Sequence, residues 1–122
     1  MIDFTERDLD RFLAEDPGGP VVMLNLLRFR PDGGRERYAQ YAANVVPIAR
    51  ALGVEPMYWG DGGQALVVAD DGQAWDAVIL VRYPSRQAFA DLVRDPAYRA
   101  GAHLRTEALE DAVLQPTTPA GG

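Results

Sequence analysis

The sequence predicts a single α+β domain whose antiparallel sheet follows the split βαβ plan, with helices on one face of the sheet. The predicted elements follow one another as strand, helix, strand or hairpin, strand, helix and strand, which is the order of that plan. The strands carry apolar residues on both of their faces, so the face without helices also needs a cover. A second copy of the chain, packed sheet to sheet, is the simplest cover and predicts a homodimer.

The composition of the chain limits the chemistry that it can perform. The chain has 122 residues, which is the size of one domain, and its formal net charge is −6. This acidity argues against sequence-independent binding to nucleic acid or to an anionic membrane. Cysteine and lysine do not occur in the sequence, which excludes disulfides, thiolate nucleophiles and Schiff-base chemistry. A single histidine argues against a histidine-rich metal or haem site. An all-carboxylate site stays open, but no clustered motif indicates one, and we expect neither a metal nor a cofactor.

The amino-terminal region does not resemble a signal peptide. Met1–Asp16 is acidic and amphipathic, without a basic start followed by an apolar run. The longest apolar run, Val21–Leu27, is interrupted by Asn25 and is far shorter than the roughly 20 residues that span a bilayer. We therefore expect a soluble protein, located by default in the cytoplasm, without nucleic-acid or membrane partners.

Residues 1–19 are predicted to form a helical extension ahead of the main domain. Thr5 and Asp8 have the spacing of a capping box, with aspartate in place of the usual glutamate, and they predict a helix start. Asp16-Pro17-Gly18-Gly19 then ends the helix. We expect this helix to cover an edge or an end of the main domain.

The main domain is predicted to span residues 20–115. Its first strand runs from Pro20 to Arg30, with apolar residues on both faces. A helix follows from about Arg35 to Leu52. Pro47 should bend this helix, because proline removes one backbone hydrogen bond.

A hairpin and a buried strand are predicted next. Val54–Gly60 and Gln64–Asp70 have strand patterns around an Asp-Gly-Gly turn, which is a hairpin signal. Trp75–Tyr83 is predicted to be a buried strand, and Ser85 is predicted to cap the helix that follows it.

The last part of the chain is predicted to contain one more helix and one more strand. Proline disfavours helical geometry in the residue before it, so Asp95-Pro96 separates two helices, of which the second runs from about Ala97 to Leu109. Asp111–Gln115 is the predicted last strand. Residues 116–122 are small, polar and rich in proline and glycine, and they predict a flexible tail.

Four pieces of the sequence together resemble a known family. They are the run Asn25–Phe29, the pair Tyr38 and Tyr41 with Pro47, the strand end Arg82–Ser85, and Asp95–Tyr98 with Arg105 after it. Their order and spacing resemble the bacterial domain-of-unknown-function family numbered thirteen-thirty, within the dimeric α+β barrel superfamily. The resemblance covers roughly Val21 to Leu114 and leaves the helical extension outside the family pattern.

This resemblance implies a fold but no reaction. It implies a ferredoxin-like protomer, a homodimer whose two sheets form one barrel, and a pocket between sheet and helices. Relatives in the wider superfamily include cofactor-independent monooxygenases, isomerases, haem-degrading enzymes and stress proteins.

Arg82 and Arg105 are the arginines whose charge most needs a partner or a ligand. Arg82 lies within an apolar strand, where a buried charge either pairs at the dimer interface or binds a ligand. Arg105 lies in line with Tyr98 near the inward face of its helix, where it either reaches across the pocket or extends to the rim. The family pattern places an arginine at this position. A guanidinium beside aromatic rings suits a carboxylate or enolate oxygen on an apolar ligand.

The candidate catalytic residues are His103 and Arg105. His103 is the only histidine, so a general base that works near neutral pH would most simply be this residue. It lies about 200° around the helix from Arg105, however, which favours a solvated side chain.

The remaining candidate site residues are polar or aromatic. Asn25 lies in a strand with two buried faces and must satisfy its amide, either on the neighbouring strand or in the pocket. The aromatic residues supply packing first and ligand contacts second. The candidate ligand-binding residues are Asn25, Tyr41, Trp75, Arg82, Tyr83 and Tyr98.

Two functions are compatible with these residues. The first is a small-molecule-binding protein that acts as a cofactor-independent enzyme, monooxygenase- or isomerase-like, on a small apolar or aromatic metabolite. Such chemistry needs little beyond orientation and stabilisation of an oxyanion. The alternative is a non-catalytic homodimer that binds a ligand or another protein.

Overall fold

The computed structural model describes residues 2–120, which form an α+β fold on one antiparallel sheet of four strands. The elements are α1 (Glu6–Ala14), β1 (Val21–Phe29), α2 (Gly34–Ala51), β2 (Glu55–Asp61), β3 (Ala77–Tyr83), α3 (Arg86–Arg94), α4 (Pro96–Gly101), α5 (His103–Ala108) and β4 (Leu109–Thr117). The sheet order is β2-β3-β1-β4, so β1 and β3 are the central strands. The predicted ferredoxin-like split βαβ fold, with an extra amino-terminal helix, is confirmed.

Helix α1 begins with the capping box that the sequence predicts. The Thr5 hydroxyl accepts a hydrogen bond from the Asp8 backbone N–H at 3.1 Å, and the Asp8 carboxylate accepts one from the Thr5 backbone N–H at 2.9 Å. These hydrogen bonds hold the pKa of Asp8 below its ordinary value. The helix packs on α3, where the rings of Phe12 and Phe89 are 5.4 Å apart.

Strand β1 has one face covered by helices and one face that the helices leave open. Met23 and Leu27 point toward the helices and are buried. Leu24 and Leu26 point to the opposite side and are half-buried. Further apolar side chains of the neighbouring strands lie beside them. This surface, which we call the outer face, consists of Val22, Leu24, Leu26, Val78, Leu80 and Val113.

The helix predicted at Ala97–Leu109 is two shorter helices. Asp95 caps the first by accepting a hydrogen bond from the Ala97 backbone N–H at 2.8 Å. At the junction the Arg105 backbone N–H donates to the Ala102 carbonyl at 3.1 Å, a tighter connection than the α-helical one. Leu109 belongs to strand β4, because it pairs with Phe29.

The prediction of a strand at residues 64–70 is wrong. Strand β2 pairs directly with β3, and the Gly62 backbone N–H closes this pair by donating to the Asp76 carbonyl at 2.8 Å. The residues between Gly62 and Asp76 therefore form a loop without ladder partners. Leu66, Val67 and Val68 in this loop are exposed, although their sequence has strand propensity.

The other strand boundaries move by one to two residues. Strand β3 starts at Ala77, two residues later than predicted, because the Asp76 carboxylate accepts a hydrogen bond from the Phe29 backbone N–H at 2.9 Å. Strand β4 extends to Thr117, so Pro116 and Thr117 belong to the sheet and not to the predicted tail. Pro116 fits there because β4 is an edge strand. The last two residues of that tail lie outside the described residues.

Two negative results concern the described part of the chain. None of its helices combines the length and the apolar character needed to cross a membrane. Among residues 2–120, no three histidine or acidic side chains converge in a group that could hold a metal ion.

Candidate functional site

Two adjoining cavities lie between the sheet and the helices. The first has a volume of about 370 Å³ and lies beneath α1; we call it the α1 chamber. The second has a volume of about 60 Å³ and lies deeper, among tyrosine side chains; we call it the tyrosine chamber. Both chambers are lined by Phe4, Phe89, Arg105 and Leu114, so these four residues form the boundary between them.

The tyrosine chamber is built mainly by helices α2 and α4 against the sheet. Tyr41 of α2 and Tyr98 of α4 share a hydrogen bond between their hydroxyl groups, at 2.9 Å. Tyr38 lies one helical turn before Tyr41, and the two rings are 5.2 Å apart. Tyr83, at the end of β3, packs edge-on against Phe89 at 5.2 Å. The result is a cluster of phenol groups between the helices and the sheet.

The buried phenols of Tyr38, Tyr41 and Tyr83 remain protonated at neutral pH. Burial raises the pKa of Tyr38 to about 12, and it also raises the pKa values of Tyr41 and Tyr83 above the ordinary tyrosine value. The nearby positive charge of Arg105 acts in the opposite direction on the pKa values of Tyr38 and Tyr41, but burial outweighs it. These tyrosines can therefore donate hydrogen bonds but cannot serve as bases near pH 7.

Arg105 is the cationic group at the boundary of the two chambers. Its side chain extends from α5 and is half-buried, and it donates a hydrogen bond to the backbone carbonyl of Ile2. Within residues 2–120 no carboxylate forms a salt bridge with it. A partly desolvated guanidinium whose hydrogen bond goes to a neutral carbonyl provides an attractive position for an anionic oxygen.

The structure brings five of the eight predicted site residues to one chamber. Asn25 lies on the inward side of β1, and its amide is at 3.5 Å from the Ile79 carbonyl, a long hydrogen bond that leaves the amide near the chamber. The residues that line the tyrosine chamber together are Asn25, Tyr41, Tyr83, Tyr98 and Arg105.

The other three predicted site residues lie elsewhere. His103 is exposed on α5, as its position opposite Arg105 suggested. Arg82 lies on the same side of the sheet as the outer face, where its strand neighbours are Val22 and Glu55. Trp75 lies in the loop before β3, with the guanidinium of Arg28 at 5.8 Å from its ring.

Arg86 lines the α1 chamber and is a residue that sequence reasoning missed. Its side chain is only 12% exposed, donates to the Phe12 carbonyl at 2.7 Å, and stacks on the Phe12 ring at 4.4 Å. Its Nε atom is buried without a hydrogen-bond partner among the described residues. A signal was present in the sequence, because an arginine directly after the Ser85 cap lies at the helix end that disfavours cations.

Ile2 and Phe4 were also missed. Phe4 precedes the Thr5 cap and Leu9 lies four residues into the helix, which is the spacing of a hydrophobic staple. That spacing could have predicted a docked Phe4. The contact between Ile2 and Arg105 joins residues 103 positions apart, and no local pattern predicts it.

Comparison with known families and structures assigns the chain. The model of the family described as "Domain of unknown function (DUF1330)" matches residues 33–115. The chain belongs to this family. None of the curated proteins matches the sequence.

The solved structures agree with this family assignment. The RPA0582 protein of unknown function from Rhodopseudomonas palustris is 35% identical, with a TM-score of 0.91, and the match covers 99% of this chain and 98% of that chain. The fold is therefore shared over nearly the whole length, including the amino-terminal extension.

Two more distant structures share the fold alone. Hydroxynitrile lyase from Passiflora edulis is 17% identical, with a TM-score of 0.67, over 87% of this chain and 98% of the lyase. A dimeric ferredoxin-like protein of unknown function from Thermobifida fusca is 16% identical, with a TM-score of 0.56, over 84% of this chain and 93% of that protein. The fold thus occurs in a lyase and in a protein described as dimeric.

Proposed function

We propose that this member of the family is a homodimer that binds a small apolar or aromatic metabolite with an anionic oxygen. We further propose that it acts on this metabolite without a cofactor, as a monooxygenase- or isomerase-like enzyme. The observation that carries the proposal is Arg105, a half-buried guanidinium without a salt bridge in the described chain, next to protonated phenols.

The two chambers together suit a ligand with an apolar body and one anionic end. The α1 chamber has the volume of a small-molecule site, which is typically about 300–1,000 Å³. Leu9, Phe12 and Met23 supply apolar walls. The carboxylates of Asp3, Asp8 and Glu15 also line this chamber, so the anionic end of the ligand must lie at the guanidinium of Arg105. The tyrosine chamber is too small for an aromatic ring, so the ring would lie in the α1 chamber with its anionic oxygen at Arg105.

The chemistry that fits this site is stabilisation of an oxyanion. Arg105 supplies a positive charge, and Tyr41 and Tyr98 supply hydroxyl groups whose mutual hydrogen bond can be exchanged for one to a ligand. Such preorganised donors stabilise an enolate or a phenolate, which is the form of the substrate that reacts with dioxygen or rearranges. The site would therefore lower the pKa of the substrate rather than supply a strong base.

The outer face supports the proposed homodimer. Its leucines and valines are half-buried in the protomer, and an apolar surface of this kind usually marks an interface. A similar ferredoxin-like protein is described as dimeric. Packing two outer faces together would produce the two-sheet barrel.

A specific observation favours the alternative, a non-catalytic ligand-binding homodimer. Neither a carboxylate nor an imidazole is among the residues that line the tyrosine chamber in the described chain, and His103 is exposed. A chamber whose lining includes neither of these bases can bind an anion without converting it.

Ligand screening with product analysis separates the two functions. The protein would be titrated calorimetrically with salicylate, 4-hydroxyphenylacetate and phenylpyruvate, and each mixture would be analysed by mass spectrometry in air and under nitrogen. The Arg105→Gln variant should bind roughly ten- to a hundredfold more weakly, since hydrogen bonds to charged groups contribute about 1.5–3 kcal/mol. Arg50→Gln, at an exposed position of α2, is the matched control.

Each outcome of this experiment has a distinct meaning. A product that forms only with intact Arg105 supports the enzyme, and its dependence on air distinguishes oxygenation from isomerisation. Binding that depends on Arg105 without any product supports the non-catalytic alternative. Equal affinities of the Arg105→Gln and Arg50→Gln variants would refute both, because the site would then lie elsewhere.

A further inference from the structure

We infer that the segment Ile2–Phe4, which we call the strap, closes the site, and that the anionic oxygen of a ligand replaces the Ile2 carbonyl on Arg105. This inference rests on the proposed function and adds a mechanism of access and selection to it. The juxtaposition that carries it is the hydrogen bond from Arg105 to the Ile2 carbonyl at the boundary of the two chambers.

The strap is attached separately from helix α1. The helix is fixed by contacts that do not involve the strap: Arg86 donates to the Phe12 carbonyl at 2.7 Å, and the rings of Phe12 and Phe89 are 5.4 Å apart. Arg94 adds a salt bridge to Glu6 at 3.2 Å. The extended backbone of Thr5, the cap residue, marks the point where the strap joins the helix. The strap can therefore leave while α1 stays in place.

The strap itself occupies the space that connects the chambers. Ile2 packs against the core cluster that contains Tyr38. Phe4 packs against the other core cluster, with its ring 5.8 Å from that of Phe89. Phe4 lines both chambers. When the strap leaves, the α1 chamber and the tyrosine chamber become one continuous cavity that extends from beneath α1 to the Tyr41–Tyr98 pair.

The hydrogen bond to Ile2 also explains how Arg105 is stabilised before a ligand binds. A guanidinium that is removed from water needs an acceptor, and the neutral carbonyl of Ile2 supplies one. A carboxylate or phenolate is a stronger acceptor, because its negative charge adds an ion-pair attraction to the hydrogen bond with the guanidinium. The Ile2 carbonyl therefore lies where the anionic oxygen of a ligand would bind, and that oxygen can replace the carbonyl as the acceptor of the Arg105 hydrogen bond.

This exchange selects for charge. A neutral apolar compound offers Arg105 nothing better than the Ile2 carbonyl, so it leaves the strap in place and reaches only the α1 chamber. An anionic compound gains the stronger hydrogen bond and opens the connection. Removal of the strap should consequently increase the affinity for anionic ligands, because the closed state no longer competes.

The experiment uses the isoleucine methyl groups as reporters of the strap. The chain contains three isoleucines, of which Ile48 and Ile79 lie in α2 and β3 and serve as internal references. In the spectrum of the methyl-labelled protein without ligand, Arg105→Gln should move the Ile2 signal toward its value in an unfolded chain. The Ile48 signal should not change. Benzoate, a simple aryl carboxylate, should cause the same movement in the wild-type protein, whereas benzamide should not.

Calorimetry with the same two compounds gives the second readout. A chain without residues 2–4, with the Thr5 cap retained, should bind benzoate about tenfold more tightly than the wild type, equivalent to about 1.4 kcal/mol. If this chain does not fold, Ile2→Gly removes the side chain that holds the strap and should change the affinity in the same direction. An unchanged Ile2 signal in Arg105→Gln, or an unchanged affinity for benzoate without the strap, would overturn the inference.

Failure of the strap and failure of the proposed function give different results. If ligands bind through Arg105 but the Ile2 signal does not move, only the strap is wrong. If neither the wild type nor the strap-free chain binds any carboxylate or phenol, the proposed function is wrong as well.

Discussion

Leu26 and Leu27 are neighbours in β1 that meet opposite environments. Leu27 points toward the helices and is 0% exposed, whereas Leu26 belongs to the outer face and is half-buried. The alternation along the strand predicted that both sides need a cover. It did not distinguish the side that the helices of the same chain close from the side that remains open. Apolar residues on both sides of a strand therefore show that both sides must be buried. They do not show which part of the molecule covers each side.

A substitution on the side of the sheet that faces the helices should reduce the free energy of unfolding more than any other variant proposed below. Leu27→Ala should lower the free energy of unfolding by about 2–5 kcal/mol, because it leaves a cavity in a fully packed region. Urea denaturation measures this loss. Leu66→Ala makes the same substitution in an exposed loop and should change the free energy of unfolding by less than about 0.5 kcal/mol. Similar losses in both variants would contradict the contrast between the two environments.

A charged substitution on the outer face should weaken dimerisation and leave the fold of the protomer unchanged. Leu24→Glu should weaken dimerisation at least about a hundredfold, equivalent to about 2.7 kcal/mol, while the protomer keeps its circular dichroism spectrum. Sedimentation velocity over a range of concentrations measures the change. Gln40→Glu adds the same charge on the exposed surface of α2 and serves as the control. A wild-type protein that sediments as a protomer at micromolar concentration would exclude the homodimer.

The buried phenols should make stability depend on alkaline pH. The folded state raises the pKa of Tyr38 from about 10 to about 12, so the folded protein retains a proton that the unfolded chain releases. The contribution of the neutral Tyr38 phenol to the free energy of unfolding is complete below pH 10. It decreases by roughly 3 kcal/mol as the pH rises toward 12. Denaturation midpoints between pH 9 and 12 measure it in the wild type. Tyr38→Phe should show a shallower decline, and an identical decline would disprove the assignment to Tyr38.

The smallest expected effect concerns the helix that completes the cover of the inward side. Thr5→Ala removes the cap of α1 and should cost about 1 kcal/mol of stability. Thermal denaturation measures this loss, with Thr106→Ala at an exposed position of α5 as the control. Lower pH should mimic part of the effect, because the pKa of Asp8 is depressed and its stabilising charge is lost as the pH falls through that lowered value. No loss in Thr5→Ala would show that the helix start depends on Phe4 packing instead.

The accuracy of the sequence predictions followed the distance over which each interaction acts. The Thr5–Asp8 box and the Ser85 cap join residues three positions apart, and both were predicted because local geometry decides them. The strand at residues 64–70 was wrong, because a strand also needs a neighbour with free ladder positions, and β3 pairs with β2 instead. Alternation alone cannot show which strand is the neighbour.

The candidate site was predicted in composition but not in arrangement. Helical spacing placed Tyr41, Tyr98 and Arg105 on inward surfaces, and the structure gathers them at one chamber. The same reasoning could not show that Arg105 lines a cavity and that Arg82 does not. An arginine within an apolar segment gives the same sequence pattern on a helix that faces a cavity and on a strand that faces outward. The role of Arg86 was not predicted, because its partner, the Phe12 carbonyl, lies 74 residues earlier in the chain.

From the sequence alone came most of the helices and strands, their order, the apolar character of both sides of the sheet, and the chemical groups available for function. These depend on periodicity, caps and composition, which act within a few residues. Two features could be seen only in the folded molecule: the amino-terminal extension lies over the cavity, and the Ile2 carbonyl accepts a hydrogen bond from Arg105. A half-buried guanidinium bonds to whichever acceptor the folded chain brings within reach, and here that acceptor belongs to a residue distant in sequence.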